Sequence, residues 1–335
     1  MKKYIEKIKN NENLVQEEIE EVMQFIMSGD AMHEAIKEFL EALNKKGPAI
    51  DEITGAAKIL RQFLIPVDTQ HEVVLDTCGT GGDSKNTFNI STVAALVVAG
   101  AGVVVAKHGN RSVSSKCGSA DILEALGVNL NVEHQQLSQC LDEVGIAFLF
   151  AQKLHPAMKN VAAARKELGV KTIFNVLGPL INPARATHQM MGVYSRDLVE
   201  PIANVLKNLG IKKALVVHGN DGLDEVTTTG KTFVSEFNGT DVVSYDIDPQ
   251  ELGIPLAKEQ DLKGGDLQKN IEIVNMILGG EKGPKRDIVV LNAAYALYTA
   301  EKVKTIDEGI KMANESIDSG KAKKKLEALK KFTNR

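Results

Sequence analysis

From residue 71 onward one unit recurs along this chain: a short β-rich apolar run, a loop of small polar residues, then a helical run. EVVLDTC (72–78) leads into GTGGDSKNTFN (79–89) and a helical stretch from Ile90 to Ala99. VVVA (103–106) leads into KHGNRSVSSKCGS (107–119) and the helical DILEALG (121–127). ALVVHG (214–219) leads into NDGLDEVTTTG (220–230), and DIVVLN (287–292) reads as a further buried strand before AAYALYTAEK. Strands alternating with helices predict a mainly parallel sheet covered on both faces. Such sheets bind ligands at the loops leaving the carboxyl ends of their strands, where each unusual loop here falls.

The first 65 residues read differently. Leu14, Ile19, Val22, Phe25 and Ile26 repeat at helical spacing, with Asn13 and Gln16 resembling a capping box. Ser28-Gly29-Asp30 breaks the chain; amphipathic patterns follow over Met32–Leu43 and Glu52–Leu64, the latter stopping before Pro66. Residues 156–184 again look helical and then irregular, so they are expected to cross back to the first helices. The predicted organisation is a discontinuous helical domain (1–70 with a returning segment near 160–186) and a larger α/β domain (71–159 and 187–335).

A net charge of −4 argues against a nucleic-acid or anionic-membrane surface over the whole protein, so an anionic ligand must be held by local charge. Cys78, Cys117 and Cys140 are odd in number and too widely spaced for a zinc motif, which fits reduced thiols in a cytoplasm. The longest apolar run, Val93–Ala106, is shorter than the ~20 residues a membrane helix needs, and Gly100 and Gly102 interrupt it. MKKYIEKIKN lacks the apolar centre of a signal peptide.

Three loops carry the chemistry. The first fits neither familiar phosphate motif: Ser84 and Asn86 stand where a P-loop needs Gly and Ser or Thr, and Ser84 stands where a dinucleotide loop needs its third Gly. Its glycines nonetheless let backbone N–H groups approach an anion, and the helix starting near Ile90 adds its positive end. The second loop brings Lys107, Arg111 and Lys116 with no acid, as a polyphosphate requires. The third offers the adjacent acids Asp224 and Glu225 without the alternation of an EF-hand; beside an anion site they suggest Mg²⁺. No His pairs with Cys or Ser as a nucleophile dyad, and His155 and His218 read equally well as structural. Positioning and charge neutralisation are expected rather than covalent catalysis.

Taken together, DTCGTGGD (76–83), TFNIST (87–92), KHGNRSVSSKCGSADILEALGV (107–128), HPAMKNVAAARKELGVKTIFNVLGPLINPA (155–184), GLDEV (222–226) and LNAAYALY (291–298) resemble the anthranilate phosphoribosyltransferase family of tryptophan biosynthesis. The resemblance implies a helical domain hinged to an α/β domain of the nucleoside phosphorylase/phosphoribosyltransferase type, and a cytoplasmic homodimer meeting through the helical part. It implies phosphoribosyl pyrophosphate (PRPP) at Gly79, Gly82, Asp83, Thr87, Asn89, Ile90, Ser91, Thr92, Lys107, His108, Gly109, Asn110, Arg111, Ser112, Val113, Ser114, Ser115 and Ser119. Mg²⁺ would be held by Ser91, Asp224 and Glu225. Anthranilate would lie at Gly79, Asn110 and Arg165, with His108 and a Gly178-Pro179 turn close by. A pyrimidine nucleoside phosphorylase shares the architecture, but its Lys-His-Ser signature is replaced here by Lys107-His108-Gly109-Asn110.

Overall fold

The computed structural model describes residues 1–335 apart from 84 and 112–116. Four helices precede the first strand: α1 Lys2–Lys9, α2 Gln16–Met27, α3 His33–Lys46 and α4 Ile50–Leu60. The helix α1 is unheralded by the sequence pattern because it is short, yet it buries Tyr4, Ile5 and Ile8 on one face. The cap of α2 also differs from expectation. Val15 is the residue before the helix, and the Glu18 carboxylate accepts its N–H at 3.0 Å; Asn13 and Gln16 form no such box.

The α/β part begins with β1 Val74–Gly79, α5 Ile90–Gly100, β2 Val104–Gly109, α6 Ser119–Ala125, α7 His134–Val144 and β3 Ile146–Phe150. The crossing segment holds α8 Ala151–Leu154, α9 Lys159–Leu168 and α10 Phe174–Leu180. Then come β4 His188–Gly192, α11 Val199–Asn208, β5 Lys213–Gly219 and the hairpin β6 Thr232–Phe237 with β7 Val242–Ile247. Four helices end the chain: α12 Leu267–Leu278, α13 Pro284–Thr299, α14 Ile306–Asp318 and α15 Lys321–Thr333.

The described residues form a seven-stranded sheet in the order β3-β2-β1-β4-β5-β6-β7. The strands from β3 to β5 run parallel, and β6 and β7 are antiparallel additions at one edge. The core divides across the sheet. Met190, Leu215 and Val217 face the cluster beneath α5 and α13, whereas Met191, Ala214 and Val216 face a second cluster with α1–α4 and α11. Val161, Ala164, Ile173, Phe174 and Leu177 of the crossing segment join that second cluster, so the helical bundle shares one core with the crossing segment, α11 and one face of the sheet.

Two expectations are corrected here. DIVVLN (287–292) is not a strand; it lies inside α13, which starts with Pro284 and packs on α5 and α14. A short apolar run buried on all sides looks the same in either conformation, and the helix-favouring AAYALY after it decides the outcome. Gly178-Pro179 is no turn but part of α10.

Candidate active site

The strand order reverses at β1, with β2 and β3 on one side and β4 and β5 on the other. The glycine loop therefore leaves the sheet at the switch point, where a crevice opens between diverging loops. In the β1–β4 register Gly79 lies opposite Gly192. A Cβ on Gly192 would stand 3.0 Å from Asp224 Cα, and one on Gly79 would stand 3.0 Å from Asp224 Cγ. The absence of both side chains lets the third loop lie across the paired strand ends.

From there the Asp224 carboxylate accepts the Gly81 N–H at 2.8 Å, and Glu225 Oε1 accepts the Ser91 N–H at 3.1 Å. The latter N–H belongs to the first turn of α5, which favours negative charge. Burial holds both acids above the usual carboxylate range, with Asp83 adding to the effect on Asp224, and Asp224 adding to that on Glu225. Two partly buried carboxyls at adjacent positions, with Lys107 the cation acting on Glu225, are the donor set a divalent cation would take. Among the described residues no three His, Cys, Asp or Glu side chains converge as a cage. That suits Mg²⁺, which binds through one or two carboxylates and takes its other ligands from water and phosphate.

Beneath these acids, Lys107 is buried and donates to Thr77 O at 2.6 Å and Ser91 Oγ at 3.2 Å. Burial lowers its pKa, while Asp76 foremost, then Cys78, Glu225 and Asp224, pull it back up. Asp76, itself pushed up to about 6 by burial, accepts the His108 N–H at 3.2 Å. The His108 ring is buried against His155, with Nε2 atoms 3.0 Å apart. Burial first, then His155, keeps its pKa well below the ordinary imidazole value.

Around this floor, Asn89 precedes α5 and donates from Nδ2 to Cys117 O at 3.2 Å, tying the first loop to the second. Among the described residues Asn89 Oδ1 and Thr92 Oγ1 are buried without a hydrogen-bond partner. The Ile90 side chain is buried in the core, so this residue can offer only its backbone. Thr87 pairs with Lys263 as a β-bridge. Gly109 ends β2; Asn110 follows, its carbonyl accepting from Ser119 Oγ at 3.4 Å and its Oδ1 from Gln152 at 3.3 Å.

Arg111 differs from expectation. Its loop has no acid, but α6 supplies two: the guanidinium bonds Asp121 at 2.9 Å and Glu124 at 2.8 and 3.0 Å. Its charge is largely neutralised there. Ser112, Val113, Ser114 and Ser115, with Lys116 and Ser84, lie outside the described residues. Arg165 of α9 has its guanidinium 5.3 Å from the Phe174 ring centre, and burial lowers its pKa. Of the ion pairs among the described residues, none involves Arg165.

Two family models match: the glycosyl transferase family helical bundle domain over residues 2–64 and its a/b domain over residues 71–323. The anthranilate phosphoribosyltransferase of Petrotoga mobilis is 51% identical over 99% of this chain and 96% of its own length. The chain belongs to the anthranilate phosphoribosyltransferase family. The crystal structure of an anthranilate phosphoribosyltransferase from Thermus thermophilus superposes with a TM-score of 0.94 at 42% identity, covering 99% of both chains. The Saccharomyces cerevisiae enzyme in complex with PRPP and Mg superposes at 0.89 with 29% identity, covering 96% of this chain and 94% of that one. Its complex with 4-fluoroanthranilate superposes at 0.86 with 28% identity and the same coverage. The nucleoside phosphorylase alternative is not supported by these relatives.

For a member of this family, the residues that pattern reading missed are those of β4 and the crossing segment. Gly192, Tyr194 and Lys171 all touch the glycine loop, at Thr80 or Gly82. HQMMG carries no β-branched residue, so nothing in its composition announces a strand.

Proposed function

We propose that this chain transfers the phosphoribosyl group of PRPP to the amine of anthranilate, with Mg²⁺, through the loops just described. The single observation that carries the site assignment is Asp224 and Glu225 seated on Gly81 N–H and Ser91 N–H, at the mouth of the glycine loop. Gly79, Gly82 and Asp83, with Thr87, Asn89, Ile90, Ser91 and Thr92, form the anion cradle; Lys107, His108, Gly109, Asn110 and Ser119 form its second wall. Asp224, Glu225 and Ser91 Oγ would hold Mg²⁺. Bound there, Mg²⁺ supplies charge neutralisation for the departing pyrophosphate.

The reaction breaks the ribose C1–O bond, pyrophosphate leaving with the electron pair, the amine lone pair forms the C1–N bond, and the resulting cationic nitrogen gives up a proton to the released pyrophosphate or to water. Glycine-loop N–H groups other than those of Thr80 and Gly81, which Gly192 and Asp224 hold, would donate to the charge that develops on the leaving group. Lys107 balances the buried acids from below. Arg165 receives the anthranilate carboxylate, with Gly79 and Asn110 beside the amine. An aromatic amine is neutral at pH 7, so no strong base is required, which accords with two histidines held neutral by burial.

Val15, Phe25 and Met32 are exposed apolar residues on the helical bundle, which supports a homodimer meeting there; sedimentation of the purified chain tests it. A cytoplasmic location accords with the three thiols, and among the described residues no helix is long and apolar enough to cross a membrane. The defining assay incubates the protein with PRPP, Mg²⁺ and anthranilate. Pyrophosphate release should require all three. Phosphorolysis of thymidine or uridine at a comparable rate would overturn the assignment.

A further inference from the structure

We propose that Lys171 is a positioning residue that makes the two substrate sites depend on each other. This rests on the reading that the glycine loop takes the diphosphate of PRPP and Arg165 takes the anthranilate carboxylate. Lys171 lies in the link between α9 and α10, in the same crossing segment as Arg165. Its ammonium reaches the glycine loop, donating to Gly82 O at 3.1 Å, and stands 3.6 Å from the centre of the Tyr194 ring. Tyr194 N–H in turn donates to Thr80 Oγ1 at 3.0 Å, and Thr80 N–H donates to Gly192 O at 2.9 Å. Residues 80–82 are thereby gripped from two sides, by the end of β4 and by the helical crossing.

The peptide plane makes the lysine contact directional. In a trans peptide the C=O and N–H point opposite ways, so holding the Gly82 carbonyl orients the Asp83 N–H. That N–H belongs to the loop assigned to the diphosphate. Gly82 has φ +77°, which strains any side chain there, and a Cβ would stand 3.3 Å from Lys171 Cε and press on it. An ammonium has three donors, and one is engaged on Gly82 O, leaving others for an anion on the same loop.

The crossing segment itself is anchored to the helical bundle: Asn160 Nδ2 donates to Met27 O at 2.9 Å, and Glu167 pairs with His33 and Lys37. Lys171 therefore carries the position of the helical body, including Arg165, to a peptide of the sheet body. Both partners stay solvated, so the contact contributes little to stability. Its consequence is for binding. Any ligand that favours the gripped loop also favours the segment position that presents Arg165, and the coupling is reciprocal.

The test measures anthranilate affinity by calorimetry with and without saturating Mg²⁺-pyrophosphate, the diphosphate half without the reactive ribose. In the wild-type chain the ligand pair should tighten anthranilate binding about fivefold or more. Lys171→Met should bring that ratio close to one with the melting temperature unchanged, and Lys171→Arg should restore it. A Lys171→Met protein that keeps the wild-type ratio, or that loses both affinities equally along with thermal stability, would overturn the proposal. So would a wild-type ratio of one. A wild-type chain that binds no Mg²⁺-pyrophosphate would remove the glycine-loop reading itself, and the proposal with it.

Discussion

Asp224 occupies the space that a side chain on Gly79 would need: its Cγ lies 3.0 Å from the point where a Cβ would stand, while its carboxylate holds the Gly81 N–H. Strand end, acid and loop amide are one interlocked unit. Gly79→Ala should push the carboxylate off Gly81, with an overpacking cost of about 1–3 kcal/mol. We expect kcat/KM to fall at least about a hundredfold, equivalent to ~2.7 kcal/mol in the transition state. Initial rates across a Mg²⁺ titration should show a higher metal requirement, as they should for Asp224→Asn. An alanine variant with normal rates at low Mg²⁺ would mean that Asp224 can step aside harmlessly.

Lys107 and Arg111, equivalent cations in the sequence, should behave very differently. Lys107 is buried between Asp76 and the Glu225 pair, whereas Arg111 is already bonded to Asp121 and Glu124. Lys107→Met leaves buried acids without their cation, a loss of about 3–5 kcal/mol for a broken buried pair. Arg111→Gln should raise the KM for PRPP less than about fivefold, under ~1 kcal/mol. Steady-state kinetics and thermal melts on both variants decide this, and equal effects on KM would show that Arg111 abandons its acids when PRPP binds.

Arg165→Ala should act on one substrate only. The guanidinium is partly desolvated beside Phe174, outside the phosphate loops. Truncating one member of a desolvated charge pair costs about 2–5 kcal/mol. The KM for anthranilate should therefore rise at least about tenfold, given ~1.4 kcal/mol per decade. The KM for PRPP should move little. A rise confined to PRPP would place Arg165 in the other half of the site.

The buried histidines give acid sensitivity. His155 is lowered to about 4 by burial. Between pH 6.5 and 4 the unfolded chain takes up a proton there that the folded chain resists, so stability falls as pH falls through that window. At ~1.4 kcal/mol per pKa unit the loss attributable to His155 approaches ~3 kcal/mol. Urea unfolding at pH 7 and pH 4.5 should show it, and His155→Gln should flatten the difference. The same slope in that variant would assign the sensitivity to other groups.

How much of this was legible in the chain follows from the range of each signal. The first loop, the helix from Ile90 and the acids at 224 and 225 stand out because glycines, hydroxyls and charges cluster within a few residues. The strands β3, β4, β6 and β7 did not, since IAFLF and HQMMG lack an alternating pattern, and DIVVLN misled because a fully buried helix has no polar face to set its period. The pairing of Arg111 with α6 was equally hidden, although Asp121 and Glu124 lie only 10 and 13 residues along the chain.

The sequence by itself determined the chemistry available at each strand end: an anion cradle, a basic loop, a pair of acids, and the order in which they occur. Only the tertiary structure decided how those groups meet. Gly79 and Gly192 became neighbours because parallel pairing placed β4 beside β1, and Asp224 entered the space above them. Lys107 turned inward beneath the acids while Arg111 turned to α6, and Lys171 reached the glycine loop from a segment anchored on another core. Local patterns encode backbone preference and side-chain type over a few residues. Which charges neutralise one another is settled by burial and distance between residues far apart in the chain, and those exist only once the sheet and bundle have packed.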